Sequence, residues 1–476
     1  MAIDQATAAP AAKSAFGWRF VTPMFLGSAL NPVNSSLIAT ALVPIAAAMH
    51  VSVGRTAVLV SALYLASSIA QPTAGKLSEE FGPRRVFLSG IVLVLLGGLV
   101  GGFANGLAML ILARVLIGVG TSAGYPSAML LIRRRARQAG LAAPPGNVLG
   151  GLVIAGMVTP AIGLPIGGAL VQAWGWRTTF FVNVPLALVT LVMAALWIPH
   201  DPARVANPGE PVSRYRSARA IARRIDAAGI VGFGATMAAL LVFLLSLPSP
   251  DWIALAAAVV AGAAMSWREL RAERPFFDLR LLGRNLALTR TYLRWAMMCL
   301  CVYTVLYGVT QWLQAGRGLS ALDAGLVLLP MSALGGIIAR PVAGRNLLRT
   351  PLIVAAVSCL AGSAGVLLLS GSTPIALIVV VTLTFGLTLG TGASANQTAL
   401  YAQVEADQIG TAAGLFRTFG YLGSIASSAI ISIVFRTSVS DHGLHVIAIT
   451  MVAVSLVSLV ITVADRRLMA VRAIGR

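Results

Sequence analysis

The chain has 476 residues, 58% of them hydrophobic and 11% charged, with mean hydropathy +0.87, whereas a soluble domain carries roughly 25% charged residues. So few charges cannot coat a soluble surface of this length, which leaves a membrane protein. A net charge of +20 would suit nucleic acid, but the basic residues lie between apolar runs rather than on an amphipathic domain, which excludes that partner and points to anionic inner-leaflet lipid.

Residues 1–18 form a polar, alanine-rich tail with a lone Lys13. The tail lacks the pattern of a cleavable signal, so the first apolar run is expected to stay as a helix. Runs of about 20 residues, the length that crosses a hydrocarbon core, are predicted at 20–45, 56–77, 86–106, 108–132, 147–172, 179–198, 228–247 and 252–267. Further runs follow at 292–314, 321–342, 352–371, 374–400, 410–435 and 443–464. That is an all-α integral membrane protein of about fourteen transmembrane helices. Placing the N-terminus in the cytoplasm puts 29 of the 35 Lys and Arg in cytoplasmic segments and four outside, with Arg114 and Arg417 within spans. This asymmetry fits the positive-inside rule and places both termini in the cytoplasm. The eighth span, at 252–267, is the shortest.

The predicted organisation is a six-helix bundle at 19–198, a Pro- and Arg-rich linker at 199–227, two inserted helices at 228–267, an interfacial segment at 268–291, a second bundle at 292–465 and a tail at 466–476. A weak internal repeat links the bundles. QPTAGKL, from Gln71 to Leu77, and RPVAGRN, from Arg340 to Asn346, close the second span of each. Duplicated halves are a common way to build transporters.

Several motifs carry a resemblance. GKLSEEFGPRRVFL places Gly75, Glu79, Gly82, Arg84 and Arg85 after the second span. Its glycines permit tight turns, and its carboxylate can pair with arginines or cap a helix end. LARVLIGVGTSAG carries Arg114 in the fourth span, where a cation is costly in lipid and must face a cavity or a polar partner. The fifth span carries Gly163, Pro165, Gly167 and Gly168, with Pro160 nearby, a glycine-rich, kinked packing face followed by Trp176, Arg177, Phe180, Asn183 and Pro185. Glu273, Pro275, Asp278, Leu279, Arg280 and Leu281 precede the ninth. Together these stretches resemble the major facilitator superfamily over most of the chain, and its fourteen-helix drug:proton antiporter branch in particular. Glu79 stands where that family has Asp, and Pro165 is displaced by one position from the family's Gly-Pro. The resemblance implies two six-helix bundles plus two inserted helices and alternating access about a midplane cavity. It also implies a loop latch at Gly75–Arg85, proton exchange linked to Arg114, and an antiporter-like motif at Gly163–Gly168.

The chain departs from that branch inside the spans. All fifteen Asp and Glu lie in loops, tails or helix ends, and Ser35 stands where the branch places an acid in its first span. The candidate cavity residues are therefore neutral or basic: Asn31 and Asn34 flanking Pro32, Arg114 and Tyr125 on one face, Tyr303, Tyr307 and Gln311 every four residues, and Arg417 with Tyr421. An electropositive cavity lined with Asn, Gln and Tyr suits a neutral, aromatic or anionic substrate. The expected function is efflux of an antibiotic-like or metabolic compound across the cytoplasmic membrane, with proton exchange. The alternative is uptake of a neutral or anionic nutrient such as a vitamin or organic acid. No cofactor, metal or nucleotide site is expected: the three cysteines lack ligand spacing, GxxxxGK[ST] is absent, and no histidine has an acid–nucleophile pattern around it.

Overall fold

Helix ends in this chain are set by proline, glycine and short polar caps. Pro83 starts a helix at its first turn, where a missing N–H costs nothing, and Gly82 before it adopts φ +97°, a conformation that side chains with a Cβ resist. Asp226, Asp251, Asn285 and Ser440 each accept a backbone N–H from the helix that follows them.

The computed structural model describes residues 16–141, 145–201, 222, 225–247, 249–272, 275–276, 279–344, 348–404 and 409–465. The described secondary structure is helical throughout. The long helices are α1 (Trp18–Ala48), α2 (Val53–Phe81), α3 (Pro83–Gly102), α4 (Leu107–Gln138), α5 (Gly146–Trp174), α6 (Thr178–Trp197), α7 (Ala227–Ser246) and α8 (Trp252–Glu269). They continue with α9 (Leu286–Gly316), α10 (Ala321–Gly344), α11 (Arg349–Val366), α12 (Ile375–Ala402), α13 (Ile409–Val434) and α14 (Asp441–Ala464). Residues 1–15, most of the linker 199–227, Glu273, Asp278, Arg345, Asn346 and residues 466–476 lie outside the described residues.

Among the described residues, twelve helices are long and apolar enough to cross a membrane, which corrects the expected fourteen. The two that fall short are α5 and α8. In α5 the apolar stretch among the described residues is Ile162–Trp174, shorter than a span. In α8 the 18 residues end in Arg268 and Glu269, whose charges cut into the apolar run.

Odd-numbered helices run away from the face where α1 begins, here the near face, and even-numbered helices return from the far face. Two bundles result, with the same packing in each. In the first, α1 packs on α5 and α6, α2 on α4, and α3 on α4 and α6; in the second, α9 packs on α13 and α14, α10 on α12, and α11 on α12 and α14. Each pairing recurs eight helices later, the structural counterpart of the short repeat closing α2 and α10. The bundles meet along two seams, α5 against α10 and α2 against α13. Close backbone approach makes these contacts possible: a Cβ on Gly168 would sit 2.6 Å from Leu322 Cα, and one on Gly120 would sit 2.5 Å from Gly90 O within the first bundle.

The α7–α8 hairpin docks by charge as well as by apolar contact. Asp226 accepts from the amides of Gly229, at 3.2 Å, and Phe276, at 2.6 Å, and pairs with Arg268 at 2.5 Å. Burial opposes its charge, yet Arg268 and the two amides hold its carboxyl below the usual carboxylate range. Lys76, at the near end of α2, reaches the carbonyls of Ile225 and Pro275 and so ties the hairpin to the first bundle.

Candidate functional site

Between the two bundles lies a cavity of about 320 Å³. Its wall is built from α1, α2, α4 and α5 of the first bundle and from α9, α10, α12 and α13 of the second, the equivalent helices of each half. It occupies the middle and near part of the seam and reaches solvent beside Tyr401, which is 43% exposed.

The wall is aromatic, with a few amides and one cation. Trp295 stacks on Phe416 with ring centres 4.7 Å apart. Arg417 lies over the Tyr125 ring, 3.8 Å from its centre, a cation–π contact that joins the bundles across the cavity. Tyr421 donates to Gln71 Oε1 at 2.5 Å, a second bridge between the halves. Asn31 donates to Thr121 Oγ1 at 2.9 Å and Ser67 Oγ at 3.2 Å, which fixes its amide on the cavity wall. Arg417 is the single charged group among the described lining residues. A wall of this kind can stack on a planar ring, bond to neutral polar groups and balance one negative charge.

On the far side a polar seal closes the cavity. The ring of Tyr303 packs 5.3 Å from Tyr64 and 5.9 Å from Tyr307. The Tyr307 hydroxyl donates to Ser35 O at 3.0 Å, so Tyr64 must donate to Tyr307, also at 3.0 Å. Ser61 and Ser428 meet at 2.5 Å, and Gly54 N donates to Phe435 O at 3.1 Å.

Of the predicted cavity residues, Asn31, Tyr125, Tyr303, Arg417 and Tyr421 line the cavity. Asn34, Arg114, Tyr307 and Gln311 are buried elsewhere. Asn34 donates to Asn183 Oδ1 at 2.6 Å and ties α1 to α6. Arg114, 1% exposed, satisfies the requirement for a polar partner with two carbonyls, Leu59 O at 3.1 Å and Asn34 O at 3.2 Å. Tyr307 forms the seal, and Gln311 lies beyond it along α9. Tyr64, Gln71, Trp295, Phe416, Gln397 and Tyr401 belong to the cavity or its floor without having been predicted there. The spacing of seven residues between Tyr64 and Gln71, two helical turns on one face, was a usable signal.

The loop motif works with a partner that the sequence did not single out. Asp201, not Glu79, is the carboxylate that caps α3. It accepts from the amides of Arg84, at 3.3 Å, and Arg85, at 3.1 Å, and pairs with Arg134 of α4 at 3.3 Å. Arg84 also donates to Ala195 O of α6 at 2.8 Å. Gly82 makes room for Asp201, whereas a Cβ on Gly75 would meet only Pro126, at 3.9 Å. The glycines of α5 face two ways. A Cβ on Gly163 or Gly167 would meet Ser36 or Thr40 of α1 at 2.9 Å, while Gly168 faces α10 and Pro165 meets Gly325 across the same seam.

The sequence places all fifteen acids in loops, tails or helix ends, yet Asp226, Glu269 and Asp465 are buried. Asp465, at the end of α14, is buried and pairs with buried Arg294 at 2.8 Å, while Arg290 adds a contact at 3.4 Å. Asp226 and Glu269 are buried at the hairpin junction. These acids do lie at helix ends, but the ends fold inward against neighbouring helices. Arg294 sits inside α9, within the predicted run 292–314. Among the described residues no group of three or more metal-ligating side chains comes together.

The family described as Major Facilitator Superfamily matches residues 24–428. Among curated proteins, the "Uncharacterized MFS-type transporter YwoD" of Bacillus subtilis (strain 168) is 32% identical over 94% of this chain and 97% of its own length. The "Tetracenomycin C resistance and export protein" of Streptomyces glaucescens is 28% identical over 89% of this chain and 77% of its own. Among solved structures, the nucleoside transporter NupG superposes with TM-score 0.63 over 94% of this chain and 99% of its own at 11% identity, a likeness of fold.

Proposed function

The chain belongs to the major facilitator superfamily, is a multi-pass secondary transporter rather than an enzyme, and from that premise we propose that it exports an antibiotic-like or metabolic compound with an aromatic ring and neutral or single negative charge, in exchange for protons. The supporting observation is the cavity between the halves, with stacked aromatics, bonded amides and Arg417 as the one charge among its described lining residues. A resistance and export protein among the relatives supports the outward direction. In this reading the protein sits in the cytoplasmic membrane against anionic lipid, with both termini inside and the near face cytoplasmic. Residues 19–198 and 292–465 are the two moving bundles, with the α7–α8 pair inserted between them. The site residues are those on the cavity wall, and the Gly75–Arg85 loop and the Gly163–Gly168 face guide the motion. Uptake of a neutral or anionic nutrient remains the second reading, favoured by the same acid-free lining.

The test is reconstitution into proteoliposomes with a panel of aromatic anions, neutral aromatics and lipophilic cations, with and without an imposed pH gradient. Gradient-driven movement of the anionic or neutral compounds is expected. Movement of lipophilic cations alone overturns the substrate class, and indifference to the gradient for every transported compound overturns proton exchange. Higher resistance in overexpressing cells supports export; a growth requirement relieved by a nutrient supports uptake.

A further inference from the structure

Arg417, the one charge among the described residues of the cavity wall, has neutral neighbours. Its Cζ sits 3.8 Å from the centre of the Tyr125 ring. At that separation the guanidinium lies flat on the ring, because an edge-on approach would drive a nitrogen into the ring face. One of its N–H groups goes to the Tyr421 oxygen, whose own proton is committed to Gln71 Oε1. Among the described residues no carboxylate forms an ion pair with it. A cation inside a membrane protein ordinarily pairs with a counter-charge. Here two neutral side chains orient the group and leave its charge uncompensated.

The chemistry of that group narrows what it can hold. A guanidinium carries its five N–H donors in one plane. The stack on Tyr125 uses its face and Tyr421 uses one edge, so paired, parallel N–H groups remain along another edge. Such a fork matches the two oxygens and single charge of a carboxylate. A phosphate monoester would bring up to two charges against one cation. An aromatic platform lies beside the fork. Gly420, one turn after Arg417, makes room for Trp295, since a Cβ there would collide with the indole Nε1. The same ring stacks on Phe416, the residue before Arg417. One turn of α13 thus sets a guanidinium and an aromatic face about 5 Å apart along the helix, and all of these residues line the cavity. At the mouth, Arg417 and Arg133 both act electrostatically on Tyr401, so the field there draws an anion.

We propose that the cavity selects an ionised aromatic carboxylic acid, its carboxylate held bidentate by the open edge of Arg417 and its ring on Trp295. This rests on the transporter reading above and narrows its ligand to one functional group. Tyr125 and Tyr421 are positioning residues: the first backs the guanidinium and the second fixes its rotation. Arg417, Tyr421 and Trp295 come from the second bundle and Tyr125 and Gln71 from the first, so the carboxylate site is complete only where the two halves meet. An amide or ester of the same ring brings no charge and a single carbonyl acceptor to the fork, and is held less tightly.

The experiment reads equilibrium binding by titration calorimetry on the full chain in detergent. Four compounds share one ring system: naphthoate, naphthamide, naphthylmethylammonium and naphthyl phosphate. Naphthoate should bind at least about tenfold more tightly than naphthamide, the order of a charge-assisted pair of hydrogen bonds, and more tightly than the other two. Arg417→Lys keeps the charge and loses the fork, so it should weaken naphthoate by about tenfold and naphthamide by less than about twofold. Tyr125→Leu should weaken naphthoate by about threefold, the order of a cation–π contact, while Tyr125→Phe keeps the native affinity. Naphthamide serves as the folding control in each variant, and the ranking of the four compounds on the unaltered chain stands without any variant. Naphthamide bound as tightly as naphthoate, or naphthyl phosphate bound more tightly, overturns the carboxylate assignment and leaves an aromatic cavity in place. Native naphthoate affinity in Arg417→Lys overturns the fork. Binding of none of the four overturns the proposal, and the transport reading is then decided separately by the proteoliposome panel, which reads movement rather than recognition of one group.

Discussion

At the residue scale, two arginines within the spans have separated into different roles. Arg417 lines the cavity and lies over Tyr125, 3.8 Å from the ring centre. Arg417→Gln is expected to raise KM for an anionic aromatic probe by about tenfold, the order of one screened charge interaction, with the melting temperature unchanged; equal KM values for the two proteins would remove Arg417 from recognition. Arg114 instead holds Leu59 O and Asn34 O within the first bundle. Arg114→Ala removes two charge-assisted hydrogen bonds, each about 1.5–3 kcal/mol, so thermal unfolding in detergent should show a clear loss of stability. An unchanged melting temperature in Arg114→Ala would mean that those bonds carry no structural weight.

At the scale of elements, helix ends carry more of the organisation than helix interiors. Asp201 lies in the segment after α6 yet caps α3 and pairs with α4, so one carboxylate holds three helices at the near face. Asp201→Ala should cost about 1 kcal/mol, the usual worth of an N-cap, and Asp201→Asn should recover most of it, as read from melting temperatures. Equal losses in the two variants would assign the effect to the Arg134 ion pair alone. Asp226 does similar work for α7 and α8. Its folded pKa lies below the ordinary value, so its contribution is complete above about pH 4 and is lost as pH falls through the lower folded value. Acidification through that range should speed hydrogen exchange in the first turn of α7, and Asp226→Asn should abolish the pH step. A step of the same size in the variant would place the titrating group elsewhere.

For the whole molecule, the governing fact is the repetition of one packing scheme in both halves. Helices α1, α2, α4 and α5 and their equivalents α9, α10, α12 and α13 line the cavity, so corresponding helices of two related bundles face it. The seams α5/α10 and α2/α13 are themselves equivalent under this relation. The far side is closed by close glycine packing at Gly168 and Gly325 and by a few hydroxyl contacts.

Membrane residence, the helical class, two related halves and a cavity chemistry weighted to aromatic, amide and basic groups were determined by the sequence alone. Each follows from local and compositional physics: apolar runs of spanning length, charges confined to their ends, and the acids kept out of the spans. Tertiary structure decided which of those polar residues face the cavity. Asn31 lines the wall and Asn34 binds Asn183 because the two lie on either side of Pro32 and meet different neighbours. The buried pairing of Asp465 with Arg294, 171 positions apart, and the capping of α3 by Asp201 arise from contacts between segments distant in the chain. So do the seal of Tyr64 and Tyr307 and the unsatisfied amide of Gln311. Periodicity assigns a side chain to a face of its helix, but packing against other helices decides what that face meets.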